Sequence, residues 1–146
     1  MRITIVGCSG SMSGASCYLV QADSTDEAGR TRTHSLVLDL GPGAMGRLLN
    51  YLDPADLDAV ALSHLHADHC TDIVGMQVYR RWIPGGPLDR IPVYSPQDGL
   101  ARTRQIGGDP QEETYAGEFD FHTIGPGDVV EVGTTIDDAA GEAFDK

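Results

Sequence analysis

The sequence predicts a layered α/β fold, and three observations carry that prediction. Strand-length apolar stretches recur along the chain, segments with apolar residues at helical spacing lie between them, and Gly- or Pro-containing turns separate the two kinds. At 146 residues the chain is long enough to bury the core of one domain and too short for two of ordinary size.

The elements follow in order. Arg2 to Cys8 sets Ile3 and Ile5 among polar or smaller neighbours, which predicts a first strand. Ser16 to Ala22 predicts a second. The Gly- and Ser-rich stretch from Gly7 to Gly14 turns between them, and without the lysine of a phosphate-binding P-loop it is expected to be a plain connection. Residues 23–34 are polar and predict an exposed, structureless loop that contains His34, after which Ser35 to Leu40 resumes an apolar strand. Beyond Gly41-Pro42-Gly43, the residues Met45, Leu48, Leu49 and Leu52 repeat at helical spacing, so a helix is expected over 44–52.

Asp58 to Ser63 is almost continuously apolar, as a strand buried on both faces should be. A helix capped by Thr71 or a neighbour then runs to Trp82, where Pro84 stops it; Arg80 and Arg81 at its end favour the helix dipole and are expected to face water. Ile91 to Ser95 predicts a strand, 97–106 a helix, and Phe119–Ile124 and Val129–Ile136 two further strands around the turn Gly125-Pro126-Gly127-Asp128. Residues 137–146 are expected to form a short acidic helix or tail.

Composition limits the function. The formal charge is −12, and the acidic excess lies late in the chain: residues 109–146 hold 11 acids against the single base Lys146. Neutralising the phosphates of an extended nucleic acid needs clustered Lys and Arg, so such a partner is disfavoured and a small anionic substrate is expected instead. Apolar runs fall far below the ~20 residues of a membrane span, so no membrane partner is expected. Cys8, Cys17 and Cys70 form no C-x-x-C pair, and the N-terminal apolar stretch is too short for a secretory leader; a cytoplasmic, reducing location is expected.

The chemistry concentrates in Ser63-His64-Leu65-His66-Ala67-Asp68-His69. Alternate side chains of an extended segment share a face, so His64 and His66, leaving the end of a buried strand, can converge on one cation. Asp68 and His69, where the chain turns, can meet a second. Imidazole and carboxylate together suit Zn²⁺, with Mn²⁺, Fe or Co²⁺ as competitors. Two such cations ~3.5–4 Å apart hold a hydroxide nucleophile and neutralise a leaving oxygen, which is the hydrolytic use of paired metals. Cys70 adjoins a ligand, yet its side chain must point elsewhere than that of His69, so packing is expected of it.

His64, His66, Asp68 and His69 match the H-x-H-x-D-H signature of the metallo-β-lactamase superfamily at every position, and the chain resembles that superfamily from Met1 to about Ile136. The stretches Val6–Ser11, Ser16–Val20, Leu38–Gly41 and Ser63–Cys70 resemble its ribonuclease Z-like branch, in particular bacterial cyclic-nucleotide phosphodiesterase-like members. The resemblance implies an αββα sandwich, of which 1–136 would be the N-terminal part. It further implies two metals, His64 and His66 serving the first and Asp68 and His69 the second. Asp68 would also help manage the proton, and the acid at Asp39 would orient the metal-binding loop by bonding a ligand histidine.

The resemblance also implies a third His after Val129–Ile136, a bridging Asp and a final His, and none is found here. His34 and His122 are expected to be structural or solvent-facing. The site is therefore expected to be incomplete beyond about Ile136, leaving apolar strand faces open and favouring a homodimer. Three functions stay open at this point: a phosphodiesterase acting on a cyclic nucleotide or an RNA 3′ end through a metal-bound hydroxide, the same fold hydrolysing a lactone, ester or thioester, and a metal-binding fragment without turnover.

Overall fold

A computed structural model of the chain describes residues 1–8 and 15–131. One six-stranded sheet orders the strands as they occur in sequence: β1 (Arg2–Gly7), β2 (Cys17–Thr25), β3 (Thr31–Leu38), β4 (Ala59–Ala61), β5 (Ile91–Ser95) and β6 (Phe119–Thr123). The first three strands are antiparallel neighbours, and β3 to β6 run parallel. The parallel pairs need crossovers, which carry the helices: α1 (Ala44–Leu48), α2 (Ala67–Cys70), α3 (Ile73–Trp82) and α4 (Gly99–Gly107).

Register explains the layering. Thr4, Leu19, Val37, Val60, Val93 and Phe121 form one row across the sheet, and the buried residues of this face, Leu19, Val37, Val60 and Val93, pack against Leu48, Ile73 and Met76 from the helices. One residue over, the row Ile5, Tyr18, Leu38, Ala61, Tyr94 and His122 points to the opposite face. That face is apolar and open at its margin, where Ile3 is 57% and Ile5 66% exposed. Among the described residues no helix is long and apolar enough to cross a membrane.

Several expectations are corrected. The polar segment 23–34 is no loop: β2 and β3 continue through it as a hairpin to the pair Thr25↔Thr31, and His34 lies in β3 opposite Ala22, its Nε2 2.8 Å from Ser24 Oγ. The tip is closed by Asp26, whose carboxylate accepts from the Arg30 backbone at 2.8 Å and its guanidinium at 2.6 Å. Alternating β-branched Thr residues satisfy strand geometry while both faces stay wet. The helix expected over 44–52 ends at Leu48, although Leu52 N still bonds the Leu48 carbonyl at 3.0 Å. The N-cap of α3 is Asp72, the neighbour of Thr71, as the sequence allows; its side chain does not cap the helix, and its Oδ2 accepts instead from Met45 N at 2.9 Å.

Arg80 does not face water, and Arg81, its side chain 35% exposed, does so only in part. Arg80 is 2% exposed and bonds the carbonyls of Pro54 and Asp89. Arg81 forks onto the buried Glu118 at 2.6 and 3.1 Å, joining α3 to the start of β6. Residues 129–131 form no strand, and the rest of the strand expected over 129–136, the tail 137–146 and most of the connection from Gly7 to Gly14 lie outside the described residues.

Candidate metal centre

The site gathers at the C-terminal ends of β3 and β4. Leu38 ends β3 and Asp39 follows with φ 63°, a left-handed conformation that a short polar side chain tolerates better than most. The turn carries its carboxylate beneath the loop that leaves β4, where Asp39 is 3% exposed. Oδ1 accepts from Ser63 N at 2.8 Å, and Oδ2 accepts from Ser63 Oγ at 2.8 Å and from His69 Nδ1 at 2.7 Å.

This network fixes the imidazoles. Asp39 can only accept, so His69 Nδ1 carries the proton and Nε2 is left as the lone pair. Ser63 Oγ spends its proton on Asp39, so at 3.1 Å it accepts from His64 Nδ1, and His64 too presents Nε2. The same geometry argues against a Ser-His-Asp triad, in which the carboxylate would orient the imidazole and the imidazole would take the serine proton. Ser63 is an orienting group.

His64, Asp68 and His69 each offer a ligand atom within 4.8 Å of the others. His69 Nε2 lies 3.2 Å from Asp68 Oδ2. A lone pair facing a carboxylate oxygen at that distance repels unless positive charge lies between them, and a tetrahedral Zn²⁺ with bonds of ~2.0 Å sets its ligand atoms ~3.3 Å apart. The donor set fits a divalent cation. His66 adds no atom to this group; its ring stands edge-on to His64 at 4.9 Å and 80°.

The loop is braced from below. The carbonyl of Asp68 accepts from Ser16 N at 3.2 Å and that of His69 from Leu40 N at 2.7 Å. Gly41 lets the two segments meet, since a Cβ there would fall 2.0 Å from the Asp68 carbonyl oxygen. Cys70 is 1% exposed and donates to the His66 carbonyl at 3.2 Å, away from the cluster. Burial pushes its thiol pKa up, with the neighbouring Arg102 opposing. Burial, then the nearby Asp39 and Asp72 charges, push the Cys17 thiol up to about 12. His122 is not part of this cluster; it lies in β6, stacked on Tyr94 and 3.2 Å from Asp120.

Sequence reasoning did not assign a role to Ser63 by itself, though it stands in the quoted motif, and missed Arg102, whose Nε donates to the Leu65 carbonyl at 3.1 Å. Only the fold brings α4 to that loop, so no local pattern announces the contact.

The chain is similar to several known proteins. A family model described as a beta-lactamase superfamily domain matches residues 34–141. An uncharacterized protein of Mycobacterium tuberculosis is 41% identical over 124 residues, covering 82% of this chain and 40% of that protein. The probable metallo-hydrolase YhfI of Bacillus subtilis is 36% identical over 134 residues, covering 82% of this chain and 51% of its own length. The crystal structure of YhfI, a metallo-beta-lactamase fold protein, aligns with TM-score 0.66 at 26% identity over 90% of this chain and 49% of that one. Ribonuclease Z of Pyrobaculum neutrophilum is 33% identical over 86 residues, covering 58% of this chain and 28% of that protein. The chain thus spans about half or less of the length of these relatives. With the family match running from the β2–β3 hairpin through the His/Asp cluster and on past β6, the chain belongs to the metallo-β-lactamase superfamily.

Proposed function

We propose that this chain supplies the metal-holding front half of a metal-dependent hydrolase acting on phosphodiesters, with residues 1–136 as the N-terminal part of its catalytic domain. The observation that carries the reading is the 3.2 Å approach of His69 Nε2 to Asp68 Oδ2, with the tautomer of His69 fixed by Asp39. Zn²⁺ is the ion this donor set favours, and His64, His66, Asp68 and His69 are the residues that hold metal. When bound, a divalent ion supplies Lewis acidity toward a phosphoryl oxygen and the activation of water.

The protein's own contribution is orientation. Asp39 and Ser63 bond the Nδ1 atoms of two imidazoles and leave both Nε2 atoms free as ligands, so little is reorganised when charge arrives. Asp68 is 56% exposed at its side chain and stands where a carboxylate exchanges a proton with solvent. The similarity to ribonuclease Z supports a phosphodiester. The net charge of −12 favours a small anion such as a cyclic nucleotide over an extended polynucleotide.

Parallel assays of the Zn²⁺-loaded chain test this. Whatever hydrolysis this front half sustains is expected to fall on bis(4-nitrophenyl) phosphate and not on a 4-nitrophenyl ester or a lactone, and to be abolished by EDTA and by His69→Ala. Turnover of the ester or lactone alone overturns the phosphodiesterase reading.

A further inference from the structure

His64 and His69 each have a hydrogen-bonded acceptor behind the ring, whereas the His66 ring rests edge-on against His64. Its direction is therefore set by the backbone. The peptide that joins Leu65 to His66 is turned by its carbonyl, and that carbonyl accepts from Arg102 Nε at 3.1 Å. The following carbonyls are bonded within the metal-binding segment or from the strand ends: His66 O by His69 N at 3.0 Å, Ala67 O by Thr71 Oγ1 at 2.6 Å, Asp68 O by Ser16 N at 3.2 Å. The Leu65 carbonyl takes its bond from a separate helix, α4. That helix is anchored there by Thr103, 1% exposed, and by Gly99, where a Cβ would fall 2.0 Å from Ser95 Oγ.

A guanidinium beside a centre that collects dications is electrostatically adverse, and it weakens metal binding unless its placement gains something else. Here the gain is geometric. The planar Nε–H, steadied by a second bond from Nη1 to Gln105 Oε1 at 3.3 Å, is a rigid donor that fixes one peptide plane. We propose that Arg102 is a positioning residue for the metal centre: through the Leu65 carbonyl it sets the direction of His66 relative to His64. This rests on the functional reading above, in that it takes His66 as a metal ligand.

The test is a double-mutant cycle on Zn²⁺ affinity, read by competition with a chromophoric chelator on the full chain. Arg102→Ala is expected to bind Zn²⁺ about tenfold more weakly than the parent, the lower range for losing an outer partner of a ligand. In a His66→Ala background the same change should have no further effect, because the group it positions is gone. Arg104→Ala is the control: Arg104 lies on the same helix and its Nε bonds the Glu113 carbonyl at 2.5 Å, away from the centre. It should leave affinity unchanged. Should Arg102→Ala fail to fold, Arg102→Lys, which keeps the charge and loses the planar donor, takes its place in the cycle. Equal losses in both backgrounds, or no loss in either, overturn the proposal alone. A parent chain that binds no Zn²⁺ overturns the functional reading and this inference with it.

Discussion

Asp39 accepts two hydrogen bonds from Ser63 and one from His69 while only 3% of its surface reaches solvent. An amide in its place offers one acceptor and an NH₂ group, and that NH₂ would confront the Ser63 backbone N–H at the Oδ1 position or both the Ser63 hydroxyl and the His69 Nδ1–H at the Oδ2 position. Asp39→Asn is therefore expected to release the His69 tautomer and weaken Zn²⁺ binding about ten- to hundredfold, by the same competition titration. Much at this scale was readable in the sequence. The spacing of His64, Asp68 and His69 foretells that they lie close together, but not that His66 stays out of their group, and it is the family resemblance that marks Asp39 as an orienting acid. Ser63 and Arg102 were not assigned roles, because their bonds join residues 24 and 37 positions apart and nothing local marks them.

At the scale of elements, strands with an apolar pattern were legible and polar ones were not. Ile91–Ser95 was read with its observed bounds, because its small run of apolar and aromatic residues is closed by Pro96. Residues 23–34 carry no hydrophobic alternation in their Asp, Ser and Thr and so predict a loop where the β2–β3 hairpin forms, with only the Thr content hinting at strand. Arg81 was likewise read from its place at a helix end, when its partner Glu118 comes from a distant segment. That side chain of Glu118 is 5% exposed and the fork onto it is bidentate. Glu118→Ala leaves the guanidinium only the looser contact with Glu113 at 3.6 Å and should lower unfolding free energy by about 1–2 kcal/mol, measured by urea denaturation. A substitution that shifts the midpoint no more than a surface change would argue against the fork as a structural tie.

At the scale of the whole molecule, the sheet is loaded on one face and bare on the other. Helices cover the row through Val37, Val60 and Val93, and the row through Tyr18, Leu38 and Tyr94 has no layer upon it among the described residues. The layered class was legible because strand- and helix-length segments alternate; the order of strands was not, because periodicity says nothing of which strand lies beside which. Buried beneath the site, Cys17 links the fold to pH. Its thiol is held neutral in the folded chain up to about 12, against an ordinary value of 9.0. Folding therefore retains a proton that the unfolded chain releases, so this contribution is whole below pH 9 and fades as pH rises toward 12. Urea midpoints should fall across that window, and Cys17→Ala should flatten the fall whatever it does to stability at pH 7. Equal slopes in the two proteins would show that Cys17 is not the group responsible.

If His64, Asp68 and His69 form a centre for a divalent cation, metal content after equilibrium dialysis against Zn²⁺ reveals it. The parent chain is expected to retain at least one Zn²⁺, and the variant carrying His64→Ala, Asp68→Asn and His69→Ala to retain none while keeping its far-ultraviolet spectrum. A parent that emerges without Zn²⁺, or a triple variant that holds as much as the parent, contradicts the account.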